Sequence, residues 1–130
     1  MAKKKLEVKM LNYGIYAKWD QESKDVPQIV KITTEIPARP GLEFGYILQI
    51  KKGKNKKIQF CIDHPPFLNS KGEPAPPFVG EEFIRTNDFQ FFLGDSVWQP
   101  VADKIGIWRL TCEIDNQNVA DKSFEIFATA

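Results

Sequence analysis

From Gly106 to Ile114 the chain alternates without a break: Trp108, Leu110, Cys112 and Ile114 fall on one side, Arg109, Thr111 and Glu113 on the other. A period of two belongs to a strand with one face buried and one in water, not to a helix. Asp115-Asn116-Gln117-Asn118 then reads as a polar turn, and a last strand opens at Val119-Ala120 and runs through Phe124 to Phe127. Two such runs joined by a short polar turn predict a β-hairpin, and a tryptophan leading the apolar face points to a sandwich or barrel.

The rest of the chain repeats that pattern. Leu6, Val8 and Met10 alternate, then the phase slips to Leu11, Tyr13, Ile15, Ala17 and Trp19. A one-residue slip near Gly14 predicts a bulge. Residues 20–27 form a polar loop, and a strand is expected from Ile29 to Ile36, with Val30, Ile32, Thr34 and Ile36 sharing a face. Pro37 and Pro40-Gly41 break it. Leu42, Phe44, Tyr46, Leu48 and Ile50 make a long alternation, and a hairpin over Lys51–Lys57 leads into Ile58–Asp63. Further strands are expected at Glu82–Thr86, Phe89–Leu93 and Val97-Trp98, with Pro100–Lys104 connecting to the Trp108 strand. No helical stripe or repeat interrupts them. The expected fold is all-β, an antiparallel immunoglobulin-like sandwich of roughly seven to eight short strands, with residues 1–130 as one domain.

Composition and charge narrow the function classes. Apolar residues at 42% and charged residues at 27% are ordinary for a folded globular chain. A net charge of +1 calls for neither nucleic acid nor an anionic membrane. Residues 1–57 carry 13 Lys/Arg against 6 Asp/Glu, and residues 58–130 carry 5 against 11, an asymmetry that interleaved strands would cancel in space. The Lys51–Lys57 hairpin holds five lysines without interleaved aromatics, so a solvated edge fits better than a nucleic-acid patch. The Met1–Lys5 start is charged like a signal peptide, but no apolar segment follows and no run is long enough to span a bilayer. Cys61 points outward between Gln59 and Asp63 while Cys112 points inward with Trp108, so the two are expected to be free thiols in the cytoplasm rather than a disulfide.

Chemistry has few candidates. His64, the only histidine, sits in Asp63-His64-Pro65-Pro66-Phe67. A general base oriented by Asp63 is one reading; a ring that fixes the start of a proline turn is the other, favoured because neighbouring strand residues point to opposite faces. One histidine and an outward Cys61 are too few ligands for zinc, and no phosphate loop, nucleophile elbow or dinucleotide motif is present. No catalytic residue, metal ligand or cofactor is therefore assigned. The segment His64–Gly80 holds five prolines, expected as a long ordered loop or a pair of extended edges. Phe83, Phe89, Phe91, Phe92 and Trp98 are more aromatics than one face buries, because Phe91 and Phe92 are adjacent and point to opposite faces, so one of those two lies under a loop or in an exposed patch.

Several of these residues together resemble an uncharacterised family of bacterial domains of about this length. The likeness runs from Glu35 to Ile126 and rests on Gly41-Leu42-Glu43-Phe44-Gly45, His64-Pro65-Pro66, the phenylalanine-rich stretch through Trp98, and Gly106-Ile107-Trp108 with Phe124. Ile105 departs from the proline that similar chains carry before the Gly-x-Trp glycine, which bears on the shape of that turn. The resemblance implies a compact domain and brings no activity, ligand or catalytic residue with it.

The function expected is a non-enzymatic domain that binds a protein or small-ligand partner, through His64, Phe67, Phe78 and Trp98 as candidate binding residues. A carbohydrate-binding version would use Trp98 or Trp19 as a stacking platform. The alternative is a small enzyme or ligand-processing domain working through the His64 loop.

Overall fold

The computed structural model describes residues 5–17 and 26–129; Trp19 and most of the expected 20–27 loop lie outside them. The strands are β1 (Glu7–Tyr16), β2 (Ile29–Lys31), β3 (Glu35–Pro37), β4 (Glu43–Lys51), β5 (Lys57–Asp63), β6 (Phe78–Phe83), β7 (Asp88–Ser96), β8 (Gly106–Ile114) and β9 (Gln117–Phe127), with one 3-10 turn at Val101–Lys104. They form a four-stranded sheet, β2-β1-β4-β7, facing a five-stranded sheet, β3-β9-β8-β5-β6. Among the described residues every strand pairing is antiparallel except β3 with β9. This is an immunoglobulin-like β-sandwich.

Alternation built it. Phe44, Tyr46, Leu48 and Ile50 of β4 are fully buried against Trp108, Leu110, Cys112 and Ile114 of β8, as the period-two pattern requires. The expected bulge is present: Met10 pairs with Leu48 and Asn12 with Ile47, so Leu11 is the extra residue and Tyr13 and Ile15 return to the core. The β8–β9 turn is tighter than the expected tetrapeptide. Ile114 pairs directly with Gln117, leaving Asp115 and Asn116 as a two-residue turn with φ of 54° and 62°. Positive φ at both positions is the type I′ geometry, and Asp and Asn are among the residues that tolerate it.

The strand expected over Ile29–Ile36 divides. Its first part pairs with β1, its last with β9, so the chain crosses from one sheet to the other at Ile32–Thr34. The Thr33 hydroxyl accepts the Glu35 amide at 3.0 Å and makes the local turn. Of the face expected to be buried, only Ile36 is; Val30 and Ile32 are 66% and 64% exposed. Val97-Trp98 is not a strand, and the expected Glu82–Thr86 strand is instead β6, Phe78–Phe83. Its inward face carries Gly80, over which the Phe60 ring from β5 lies, so apolar alternation is absent there.

Phe91 and Phe92 do face opposite ways. Phe91 joins the main core beside Phe60, and Phe92 meets Tyr16 edge-on at 5.0 Å in a second small cluster with Ile47, packed by Val26 and Ile29. Phe92 is thus covered by the segment leading into β2, whereas Phe83 is exposed. The lysine hairpin faces acids: Lys52 lies 3.6 Å from Glu7, Lys56 2.5 Å from Asp115 and Lys57 3.5 Å from Glu81. All are solvent-exposed pairs, which soften the local charge more than they stabilise the fold.

Candidate functional site

One end of the sandwich gathers the C-terminal ends of β5 and β7 and the start of β8. The residues after β5 fold into a small two-armed loop. The Asn69 amide donates to the Glu73 carbonyl at 2.8 Å and the Ala75 amide to the Phe67 carbonyl at 2.9 Å, with Leu68 bridged to Pro74. The Asn69 side chain accepts from the Lys71 and Glu73 amides and closes the tip. The loop therefore spans residues 64–77, and Phe78–Gly80, expected within it, already belong to β6.

His64 fastens the base of this loop. Its Nδ1 lies 2.8 Å from the Pro65 carbonyl and its Nε2 2.8 Å from the Pro76 carbonyl, twelve residues along the chain. The Asp63 carboxylate accepts the His64 backbone amide at 3.0 Å. The imidazole ring stands 4.3 Å from Phe67, 4.8 Å from Phe78 and 5.6 Å from Trp108, centroid to centroid. Trp98 meets Phe67 edge-on at 5.5 Å and Trp108 edge-on at 5.9 Å. The four residues singled out in the sequence are therefore neighbours, all half-buried, and His64, Phe67 and Trp98 each contact the fully buried Trp108.

Lys104 belongs to the same group and was not singled out. It is 2% exposed; its ammonium donates to the Pro100 carbonyl at 3.1 Å and to the Asp103 carboxylate, and stands 4.6 Å from the centroids of both Phe67 and Trp98. Its carbonyl accepts the Trp108 indole N–H at 2.8 Å. A lysine in a polar connection reads as solvated, and only the 3-10 turn that folds it back over the rings buries it. A face of Trp98 is thus already occupied by an ammonium rather than open as a platform.

The geometry explains two of the sequence motifs. Gly106 has φ +136°, and a β-carbon there would meet Pro65 Cγ at 2.8 Å; the Gly-Ile-Trp and His-Pro-Pro segments are in contact and require glycine at the contact. Gly45 has φ +152° and would place a β-carbon 2.1 Å from the Leu93 carbonyl, so β4 and β7 approach too closely there for any side chain. Ile105 takes φ −69°, the value proline imposes, so the turn into β8 keeps the shape that proline would give it.

Titratable groups elsewhere are dispersed. Burial raises the Asp95 carboxyl on β7, opposed by the Ser96 amide and by His64. Burial and then Asp63 raise the Cys61 thiol, which borders an open groove of about 410 Å³ with Gln59, Val79, Glu81, Thr111 and Glu113. Both cysteines are free. Among the described residues no three His, Cys, Asp or Glu side chains converge as a metal ion would need, and no helix is long and apolar enough to cross a membrane.

Residues 4–126 match a family described as a domain of unknown function, DUF3859. The chain belongs to that family. A crystal structure of an immunoglobulin-like protein (PA1606) from Pseudomonas aeruginosa superposes on this DUF3859 domain with a TM-score of 0.74 at 22% identity, covering 93% of this chain and 97% of the other. That likeness concerns the fold. No curated protein matches the chain.

Proposed function

We propose that this DUF3859 domain is a non-enzymatic binding module of the cytoplasm that recognises a protein or small-ligand partner through its His64–Pro77 loop. The observation that carries this is a loop folded by its own hydrogen bonds, pinned at its base by His64, that holds Leu68 64% exposed at its tip. A preformed apolar projection loses little entropy on binding and suits recognition. Phe67, Phe78 and Trp98 support the loop from beneath in this reading. The two free thiols favour a reducing compartment. Against the enzymatic alternative, both His64 nitrogens face backbone carbonyls and Asp63 holds an amide rather than the ring, so the histidine lacks the poise of a general base.

Leu68→Asp tests the proposal, because Leu68 adds nothing to the core. Affinity capture from native extract should lose its specific partner while the melting transition stays in place. Unchanged capture by Leu68→Asp, and by His64→Ala/Phe67→Ala at equal folded fraction, would remove the loop from consideration.

A further inference from the structure

Among the described residues β6 closes one side of the five-stranded sheet. The Ile84 amide donates to the Lys56 carbonyl at 2.9 Å. By the alternation of an antiparallel pair, Glu82, Gly80 and Phe78 therefore bond to β5, and Val79, Glu81 and Phe83 turn their N–H and C=O groups to the free side. Natural edges are usually blunted by lysine, proline or a bulge. The β6 register runs unbroken from Phe78 to Phe83 and holds none of the three. Its outward side chains are apolar at both ends, with Val79 74% and Phe83 46% exposed. Other rims carry guards: Lys9 and the Leu11 bulge in β1, Lys122 in β9. The remaining long edge, β7, turns Phe91 and Phe92 into the two core clusters.

Beside the β6 edge the outward face dips into the open groove of about 410 Å³. Strand register sets its layout: Val79 stands next to Cys61, and Glu81, Gln59 and Glu113 form a row across β6, β5 and β8. The groove is lined by two carboxylates, Glu81 and Glu113, and by no basic side chain among the described residues. Lys57 comes within 3.5 Å of Glu81, but both are well exposed and such a pair is weak.

We propose that β6 takes an added strand from another protein: an extended segment in which a lysine or arginine has apolar side chains two residues away on either side. The backbone groups of Val79, Glu81 and Phe83 supply its hydrogen bonds. The basic residue stands opposite Glu81 and reaches over it toward the groove and Glu113, while the apolar residues meet Val79 and Phe83. A second copy of this chain fits less well, because β6 paired with itself about Glu81 sets that carboxylate against its own counterpart. The surface is separate from the Leu68 tip and stands whether or not that tip binds a partner.

The test is a titration of the full ¹⁵N-labelled chain with the peptide acetyl-Thr-Val-Thr-Arg-Thr-Val-Thr-amide at millimolar concentration. The Val79, Glu81 and Phe83 amides should shift and gain protection from exchange. The same peptide with Glu in place of Arg should bind at least about five-fold more weakly. Glu81→Lys should reverse that preference. Val79→Pro should abolish binding with the melting transition in place, since the lost N–H faces no strand of this chain. No shift with the Arg peptide, shifts centred on β7 or on Leu68, or equal affinity for the two peptides overturns the proposal. So does a dimer in sedimentation that Val79→Pro disperses, because the edge would then belong to a second copy. Should Val79→Pro fail to fold, the reversal by Glu81→Lys decides alone.

Discussion

Tyr46 and Cys112 join the two sheets at the centre of the core. The Tyr46 hydroxyl lies 3.3 Å from the Cys112 sulfur and donates to the Leu110 carbonyl at 3.0 Å. Both side chains are fully buried, so this is a polar contact sealed inside an apolar layer. Tyr46→Phe leaves the Leu110 carbonyl without that donor and should destabilise by about 1–2 kcal/mol in denaturant melts. A change below about 0.3 kcal/mol would mean that the bond contributes nothing in solution.

The same burial sets an alkaline limit. It pushes the Cys112 thiol up to about 11 and raises Tyr16 and Tyr46 as well. Unfolded thiols and tyrosines release their protons earlier, so above about pH 8.5 the unfolded chain binds fewer protons than the folded one. Stability should be intact below that pH and fall as pH climbs toward the raised values. Native thiol titration near neutral pH should find Cys61 reacting first, with both thiols reactive after denaturation; a single slow class in the native state and none after unfolding would contradict it.

Trp108 leads the buried face of β8 and is fully enclosed, edge-on to Phe44 at 5.6 Å and tied by its indole N–H to Lys104. Trp108→Ala should cost roughly 3–5 kcal/mol, because it opens a large cavity beneath His64, Phe67 and Trp98. A loss under about 1 kcal/mol would show that the end cluster does not depend on it.

Removing each partner of the Lys104–Asp103 pair should give unequal costs. Asp103 is 37% exposed and can be rehydrated, whereas the Lys104 ammonium cannot. Lys104→Met fills the same space without a charge and should change stability by less than about 1 kcal/mol. Asp103→Ala leaves a buried cation with one carbonyl and two rings and should cost about 2–3 kcal/mol. Equal costs, or the reverse order, would mean that the ammonium is wetter than its burial indicates.

Much of this architecture is legible in the chain because burial on one face of a strand imposes a period of two. The β8 face, the β4 face, the Leu11 bulge and the opposite directions of Cys61 and Cys112 all follow from that period. What escapes it are positions whose environment is set by a distant segment. Val30 and Ile32 read as core, but the chain changes sheets at Thr33 and leaves them outside. Gly80 breaks the β6 pattern because Phe60, from the neighbouring strand, fills its place. At the candidate site, His64, Phe67, Phe78 and Trp98 were recoverable as apolar or aromatic residues near a proline-rich loop. Lys104 was not, since nothing local tells a buried lysine from a solvated one.

The 64–77 loop is folded in the free protein, and backbone ¹⁵N relaxation of that protein tests this. His64 at the base, the Phe67–Ala75 pairing and the Asn69 turn predict order parameters near about 0.85 for the amides of Phe67, Leu68, Asn69, Glu73 and Ala75, equal to those of β5 and β8. Values below about 0.6 across those residues, with β5 and β8 rigid, would show that the loop is not preformed.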